Sequence, residues 1–343
     1  MNIAFFSKHL PSDHPNGVSV QVHRLADALT DRNHLVTVHT FSPPVTNAKY
    51  QHHLLKPLPR SRIRRKFHPA FQFRKIKHKQ FDIMHYHGDD YLCRGSQKRV
   101  RTFYGSARDE ALHAATPDRF FYQGLFHLFE LLSCQKKGTL VGISESTCRS
   151  LPKVKQYIPC CVPTDLFTPG SGKTPHPSIL FIGDFNSRKR GNALLKVFSS
   201  SILPRYPDCT LTVVGPESCS GPNIIYAGCC NENDLIGLYR KSWLFCMPSS
   251  YEGFGVPLLE AMACDTAVVA TENPGSEEII VHRKNGLLCK LRNLGDTIKE
   301  CIENTHLRNE IIDNGRSFVK KFDSKTCAER YEEIYIRVLQ QGK

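Results

Sequence analysis

Glu252 and Glu260 stand with seven residues between them in the run P-S-S-Y-E-G-F-G-V-P-L-L-E-A-M-A over Pro248–Ala263. The apolar segment Leu244–Met247 before it has the length of a strand and stops at Pro248. A helix starts near Val256, where Pro257 suits the first turn. Backbone N–H groups at a helix start lack carbonyl partners, and with the helix dipole they form an anion site fit for a diphosphate. Gly253 and Gly255 let a ligand approach the backbone closely. Glu260, one turn into the helix, can accept two hydrogen bonds from a diol such as a ribose. Glu252, ahead of the helix, can reach the other end of the same ligand. The plainer reading makes both carboxylates compensation for the helix start, worth ~0.3–1 kcal/mol each.

A second cluster, Gly183-Asp184-Phe185-Asn186-Ser187-Arg188-Lys189-Arg190-Gly191, follows a strand and opens a helix. Its three adjacent cations suit phosphate, and arginine can grip phosphate through two parallel bonds where lysine cannot. The plainer reading is an exposed basic turn. In a third cluster, Asp82–Gly88 (D-I-M-H-Y-H-G) and Arg101–Ser106 (R-T-F-Y-G-S) each end a strand. His85, His87, Asp89 and Tyr104 are its chemical groups. Tyrosine donates a hydrogen bond but is a poor base near neutral pH, and a histidine here is more often structural than catalytic. The i, i+2 spacing of His85 and His87 puts both on one strand face, yet no third metal ligand is evident.

The elements that must position these residues alternate strand with helix. Asn2–Phe6, Leu35–Phe41, Phe81–His85, Val100–Tyr104 and Thr139–Ile143 read as strands, and Ser19–Asp31 as an amphipathic helix. Phe120–Leu132 reads as a strongly apolar helix buried on more than one side. Pro and Gly crowd into Ile158–Pro177, a linker composition. The rhythm then restarts. Ser178–Ile182, Leu211–Gly215, Asn223–Ala227, Leu244–Met247 and Ala267–Thr271 read as strands. Asn192–Ser200, Asn231–Lys241 and Val256–Ala263 read as helices, and Leu294–Asn304, His306–Lys320 and Lys325–Gln340 close the chain as helices. Two parallel-sheet α/β domains follow from this pattern, with the ligand cleft outside the carboxyl ends of the strands. The expected boundaries are 1–160 and 161–324, with residues 325–343 crossing back onto the first domain.

A chain of 343 residues favours two domains over one. The opening residues lack the pattern of a secretory signal, and no apolar stretch approaches the ~18–20 residues that span a bilayer. Fourteen cysteines without such a signal read as small buried apolar residues in a reducing cytoplasm. The net charge of +14 is uneven. No acidic residue lies between Asp31 and Asp82, while Lys49, Lys56, Arg60, Arg62, Arg64, Arg65, Lys66, Arg74, Lys75, Lys77 and Lys79 do, among Phe67, Phe71 and Phe73. Such a stretch suits an anionic partner, such as a phospholipid surface or a lipid-phosphate acceptor. A nucleic acid is disfavoured, because no nucleic-acid motif accompanies it. The bland alternative is a solvated basic loop and helix.

The Pro248–Ala263 run resembles the signature of the retaining glycosyltransferases of family 4, whose fold is GT-B. Asn16-Gly17-Val18 with the following helix is similar to the family's opening glycine loop, and Thr271–Ile280 and Asn285-Gly286-Leu287-Leu288 are similar to blocks that follow the signature. The resemblance implies that Glu260 binds the ribose and Glu252 the donor sugar. It implies that Gly253, Phe254, Gly255 and Val256 offer their backbone to the distal phosphate or sugar, and that Gly17 lets a loop close over the diphosphate. Relatives carry an arginine just after the first glycine of the second cluster and a lysine just before the last. Here those positions are Asp184 and Arg190. Arg190 is therefore expected to make the main leaving-group contact, with Arg188 or Lys189 assisting. Many relatives have histidine where Tyr104 stands, which makes His87 and Tyr104 acceptor-side candidates. The linker also departs, reading Ile158-Pro159-Cys160-Cys161-Val162-Pro163 where relatives often read I-P-N-G-V-D.

The implied reaction moves a hexosyl group from a nucleoside-diphosphate sugar to a saccharide or lipid-linked acceptor. Catalytic roles fall to Arg190 and Glu252. No Asp-x-Asp motif is present, so no metal is expected, and the nucleotide sugar is a co-substrate rather than a cofactor. The expected setting is the cytoplasm, at the inner face of a membrane if the basic stretch binds lipid. The rivals are a nucleotide-sugar epimerase on the same scaffold and a non-catalytic sugar-nucleotide- or polyanion-binding protein.

Overall fold

The strand Asn2–Phe6 (β1) carries Ile3, Ala4, Phe5 and Phe6 fully buried on both its faces. That is the mark of a parallel strand with helices above and below. The computed structural model describes residues 1–13, 16–114 and 116–341, without the side chains of Arg62, Ile63 and His78. Gly342 and Lys343, at the end of the expected C-terminal helical region, lie outside the described residues. The chain divides into two compact units. One is Met1–Asp109 with Tyr122–Cys161 and Phe322–Lys343, and the other is Glu110–Phe121 with Val162–Lys321.

After β1 come α1 (Gly17–Asp31), β2 (Leu35–Thr40), β3 (Gln51–Leu54), α2 (Arg62–Lys75), β4 (Ile83–Tyr86) and β5 (Arg99–Phe103). Then follow α3 (Ala107–Leu112), α4 (Pro117–Cys134), β6 (Thr139–Gly142), α5 (Glu145–Ser150) and β7 (Gln156–Tyr157). The seven strands pair in parallel in the order β3-β2-β1-β4-β5-β6-β7. Asn16 caps α1 by accepting from the Val18 and Ser19 amides, while the Ser19 hydroxyl accepts from the Asn16 amide. Such reciprocal caps satisfy donors that the first helical turn leaves open.

No helix or strand element interrupts Ile158–Pro177. The second unit then contains β8 (Ser178–Ile182), α6 (Gly191–Val197), β9 (Thr210–Val214), β10 (Ile224–Gly228), α7 (Glu232–Lys241) and β11 (Leu244–Met247). It continues with α8 (Val256–Ala263), β12 (Ala267–Thr271), α9 (Pro274–Ile279), β13 (Leu287–Cys289), α10 (Leu294–Glu303) and α11 (Thr305–Val319). Its strands are also parallel, in the order β10-β9-β8-β11-β12-β13. β8 and β11 thus stand where β1 and β4 stand in the first sheet. In both, the order reverses beside the first strand, the place where open α/β sheets bind ligands.

The last helix, α12 (Ser324–Gln340), belongs to the first unit. Its Cys327, Ala328, Tyr331, Ile334, Tyr335 and Val338 join the core formed with α1, β1 and β2. Arg32 reaches Glu329 at 3.0 Å and His34 reaches Glu332 at 3.0 Å to hold it. All fourteen cysteines are free thiols and ten are buried, so they act as small apolar filling.

Three expectations need correction. β3, β7, β13, α5 and α9 are too short to show a period in the sequence. The helix read over Asn192–Ser200 gives way to a π-turn at Phe198–Ile202. Most consequential, α4 is not buried on several sides: Phe120, Phe121, Leu128, Leu131 and Leu132 are exposed. Its inward face is taken by groups with partners. Glu130 accepts from the Ala107 amide at 3.1 Å, Ser133 bonds Asp90 at 2.8 Å, and Phe129 stacks on Tyr91. Apolar composition all round therefore marked two different faces.

Candidate active site

β11 is buried along its whole length and delivers the chain to a loop that ends at Gly255. Gly255 has φ 102°, a left-handed conformation that costs a side-chain-bearing residue but not glycine. That turn starts α8, with Pro257 in its first turn and no side-chain cap. Phe254 is buried beneath the loop, and Gly253 and Val256 are partly exposed above it.

Glu252 is only 4% exposed, yet both its oxygens meet cations. Arg188 Nη1 lies 2.7 Å from Oε2 and Lys189 Nζ lies 2.8 Å from Oε1. Burial opposes ionisation of this carboxyl, but Lys189 and Arg188 outweigh it and hold the pKa at about 2. Burial likewise works against the Arg188 charge, and Glu252 more than restores it, so the guanidinium pKa is raised. Arg188 also donates to the Tyr251 carbonyl at 2.8 Å, and its own carbonyl accepts from the Ser250 amide at 2.8 Å. The loops after β8 and β11 are thereby locked together.

Arg190 is expected to make the main phosphate contact, with its neighbours assisting. Arg188 and Lys189 both pair with Glu252. Arg190 caps α6 with a left-handed backbone, φ 54°, and its side chain has no hydrogen bond or ion pair among the described residues. A non-glycine residue in that conformation costs roughly 1–2 kcal/mol, and such strain concentrates at functional sites. Asp184, the sign reversal, accepts a hydrogen bond from the Ser187 hydroxyl, and its carbonyl accepts from the Gly191 amide at 3.3 Å. It shapes the basic turn. Gly183 and Gly215 end neighbouring strands, and a Cβ on Gly215 would fall 2.3 Å from the Gly183 carbonyl oxygen.

Glu260 is also buried and accepts from the Tyr239 hydroxyl at 3.1 Å. Tyr239 was not foreseen, because its contact comes from α7, twenty-one residues away in the chain. A second omission is the clamp behind the loop. Thr271 Oγ1 donates to the Ser249 carbonyl at 2.6 Å and Asn273 Nδ2 to the same oxygen at 3.2 Å. Gly275 sits so close that a Cβ there would meet the Glu252 carbonyl oxygen at 2.6 Å. The Thr271–Ile280 block was the signal for this clamp, but the sequence alone attached no role to it.

In the first unit, Gly17 is the first residue of α1, and a Cβ there would meet nothing within 4 Å. Packing does not require glycine at that position. His85 is fully buried, with Nδ1 2.7 Å from the Tyr335 hydroxyl and Nε2 2.8 Å from Thr102 Oγ1. Both ring nitrogens are used, so His85 ties α12 to the sheet and is not open to a metal. His87 Nδ1 lies 2.9 Å from the Tyr104 hydroxyl. Burial first, then His85 and Arg101, push the His87 pKa well below its ordinary value. Burial raises the Tyr104 pKa well above its own. The pair is neutral near pH 7, a hydrogen-bonding couple rather than an acid–base one. Among the described residues, no three His, Cys, Asp or Glu side chains gather as metal ligands.

Residues 15–166 match Glycosyltransferase Family 4 and residues 168–318 match Glycosyl transferases group 1. The chain belongs to glycosyltransferase family 4. A phosphatidyl-myo-inositol mannosyltransferase of Mycobacterium tuberculosis is 24% identical to this glycosyltransferase, over 96% of this chain and 95% of the relative. Sucrose-phosphate synthase from Thermosynechococcus elongatus superposes with a TM-score of 0.83 at 18% identity, covering 99% of each chain. HepE of Anabaena, solved in complex with UDP-glucose, superposes with a TM-score of 0.73 at 16% identity, over 97% of this chain and 98% of that one. The fold is GT-B, built from two Rossmann-like parallel-sheet domains.

Proposed function

We propose that this glycosyltransferase moves a hexosyl group from a nucleoside-diphosphate sugar to an acceptor hydroxyl, with retention of anomeric configuration and without a metal ion. The observation that carries the reading is Glu252. It is buried, and Arg188 and Lys189 hold it ionised. An ionised carboxylate only accepts hydrogen bonds, which suits the hydroxyls of a donor sugar. The Arg190 side chain has no hydrogen bond or ion pair among the described residues, and α8 presents its N-terminus; together they would take the diphosphate. Glu260 would hold the ribose from one turn deeper.

In this mechanism the bond between the anomeric carbon and the diphosphate oxygen breaks. Arg190 and the amides of Phe254–Val256 would stabilise the charge that develops on the departing group. The acceptor oxygen bonds to the anomeric carbon from the same face, and a diphosphate oxygen takes the acceptor's proton. Gly17 would allow close approach to the diphosphate, and His87 with Tyr104 would stand on the acceptor side. The acceptor is a saccharide or a lipid-linked compound, consistent with the lipid named for the mycobacterial relative.

The test is calorimetric binding and slow hydrolysis across UDP-, GDP- and ADP-sugars, wild type beside Glu260→Ala. One preferred donor, lost or strongly weakened in the variant, is the expected result. Equal affinity in the two proteins would remove Glu260 from the donor site. Donor turnover without any acceptor product would point to an epimerase instead.

A further inference from the structure

The Tyr122–Cys134 part of α4 turns an apolar stripe outward. Leu128, Leu131 and Leu132, at i, i+3 and i+4, are 56%, 37% and 53% exposed. A surface helix ordinarily does the reverse. Two polar residues of this part of α4 turn inward: Glu130 to the Ala107 amide, and Ser133 to Asp90 and Arg99. Helix α2 lies alongside. Lys66 Nζ sits 3.1 Å above the Tyr122 ring, and the Phe67 and Phe129 rings are 5.9 Å apart. Phe71 and Arg74, at i+4 and i+7 from Phe67, share its face of α2, and Phe71 is 53% exposed. Arg64, Arg65, Arg74 and Lys75 are exposed as well. Lys49, included in the basic stretch from sequence, pairs with Asp31 at 2.7 Å and is not part of this face.

We infer that α2 and the Tyr122–Cys134 part of α4 form a surface that lies on an anionic lipid bilayer. Leu128, Leu131, Leu132 and Phe71 enter the acyl boundary, and Arg64, Arg65, Arg74 and Lys75 stand at the phosphate level. Charge selects this occupant. The segment from Asp31 to Asp82 carries no acid, so an apolar protein interface would leave its cations unexplained. A second copy of the chain, docked by the same patch, would oppose basic helix to basic helix. A bilayer with acidic headgroups meets both features at once, and stable interfacial binding needs two such signals. No helix among the described residues is long and apolar enough to cross a membrane, so the contact is one of lying on the surface.

This inference does not depend on the transfer reaction, and it is tested on the full chain without donor. Co-sedimentation is measured with vesicles of phosphatidylcholine alone and of equimolar phosphatidylcholine and phosphatidylglycerol, at low and high salt. The expected result is at least ~tenfold tighter binding to the anionic vesicles, weakened by salt. The triple variant Leu128→Ser, Leu131→Ser, Leu132→Ser should lose a further ~tenfold or more while still melting cooperatively, because these side chains are largely at the surface. As a second readout, Leu132→Trp should shift its emission to the blue on anionic vesicles. Equal binding by wild type and triple variant, or equal binding to both vesicle types, would overturn the inference. So would a wild-type dimer that the triple variant dissociates, with no vesicle binding.

Discussion

The loops after β4 and β11 occupy equivalent places in the two sheets, and each presents a carboxylate to two cations. Asp90 meets Arg99 and, at 3.2 Å, Arg101. Ser133 adds a bond to it at 2.8 Å, and Lys136 ties down the Asp90 carbonyl at 2.8 Å. Burial opposes its ionisation, but Arg101 and Arg99 prevail and keep its pKa low. Glu252 meets Arg188 and Lys189 in the same manner. The difference lies in what surrounds each pair. Arg99 and Asp90 are sealed, with side chains 0% and 2% exposed, whereas Arg188 and Lys189 keep 24% and 18%. Next in the chain after Lys189 stands Arg190, strained and with no side-chain partner among the described residues. One fold position thus carries a closed ion cluster in the first unit and an open one in the second. A closed cluster specifies structure, and an open one keeps charge available for a ligand.

Substitutions separate the two. Asp90→Asn leaves Arg99 buried without its counter-charge, and denaturant melts should show a loss of about 3–5 kcal/mol. A loss under ~1 kcal/mol would mean that the cluster is not closed in the sense argued. Arg190→Gln keeps the backbone cost but removes the free guanidinium. Steady-state transfer should fall about 10²–10³-fold, with a melting midpoint close to wild type. If stability drops as much as activity does, Arg190 is structural and the contrast fails.

Two pH measurements sharpen the comparison further. Glu252 titrates at about 2 in the folded chain against an ordinary value of 4.5. Its stabilisation, about 3 kcal/mol, is therefore fully present above the ordinary value and lost as pH falls through the folded one. Glu252→Gln should remove that acid limb from a stability–pH curve. Asp89, in the loop after β4, behaves oppositely. Burial raises its pKa to about 6, although Lys8 and Arg101 pull it down. Its contribution is present below the ordinary carboxylate range and is lost as pH rises through about 6. Asp89→Asn should then stabilise the protein at neutral pH by about 3 kcal/mol and flatten the curve between pH ~4 and ~6. An unchanged curve would place Asp89 in freer contact with water than its burial implies.

Much of this was legible in order along the chain. The alternation of β-sized apolar runs with amphipathic segments gives two parallel α/β units. The glycines around Glu252 mark a backbone turn that admits few other residues, and Gly255 does adopt a left-handed φ. These features are local, set by period, by backbone sterics and by the nearest few side chains. Arg190 is expected as a phosphate contact from its place in the family resemblance, and its side chain has no hydrogen bond or ion pair among the described residues.

What the tertiary structure decided depends on residues far apart in sequence. That Arg188 and Lys189, rather than Arg190, hold Glu252 follows from β8 and β11 being neighbours in the sheet. The clamp from Thr271 and Gly275, and the bond from Tyr239 to Glu260, need β12, α9 and α7 in place. The same holds for α4, whose composition promised burial. Which of its faces lies inside was set by Phe67, Tyr91 and Asp90 on other elements. Sequence by itself determined the elements and the chemical types at the site, because backbone preference and periodicity act over a few residues. Pairing of charges and choice of the buried face are long-range competitions for partners, and only the assembled sheets settle them.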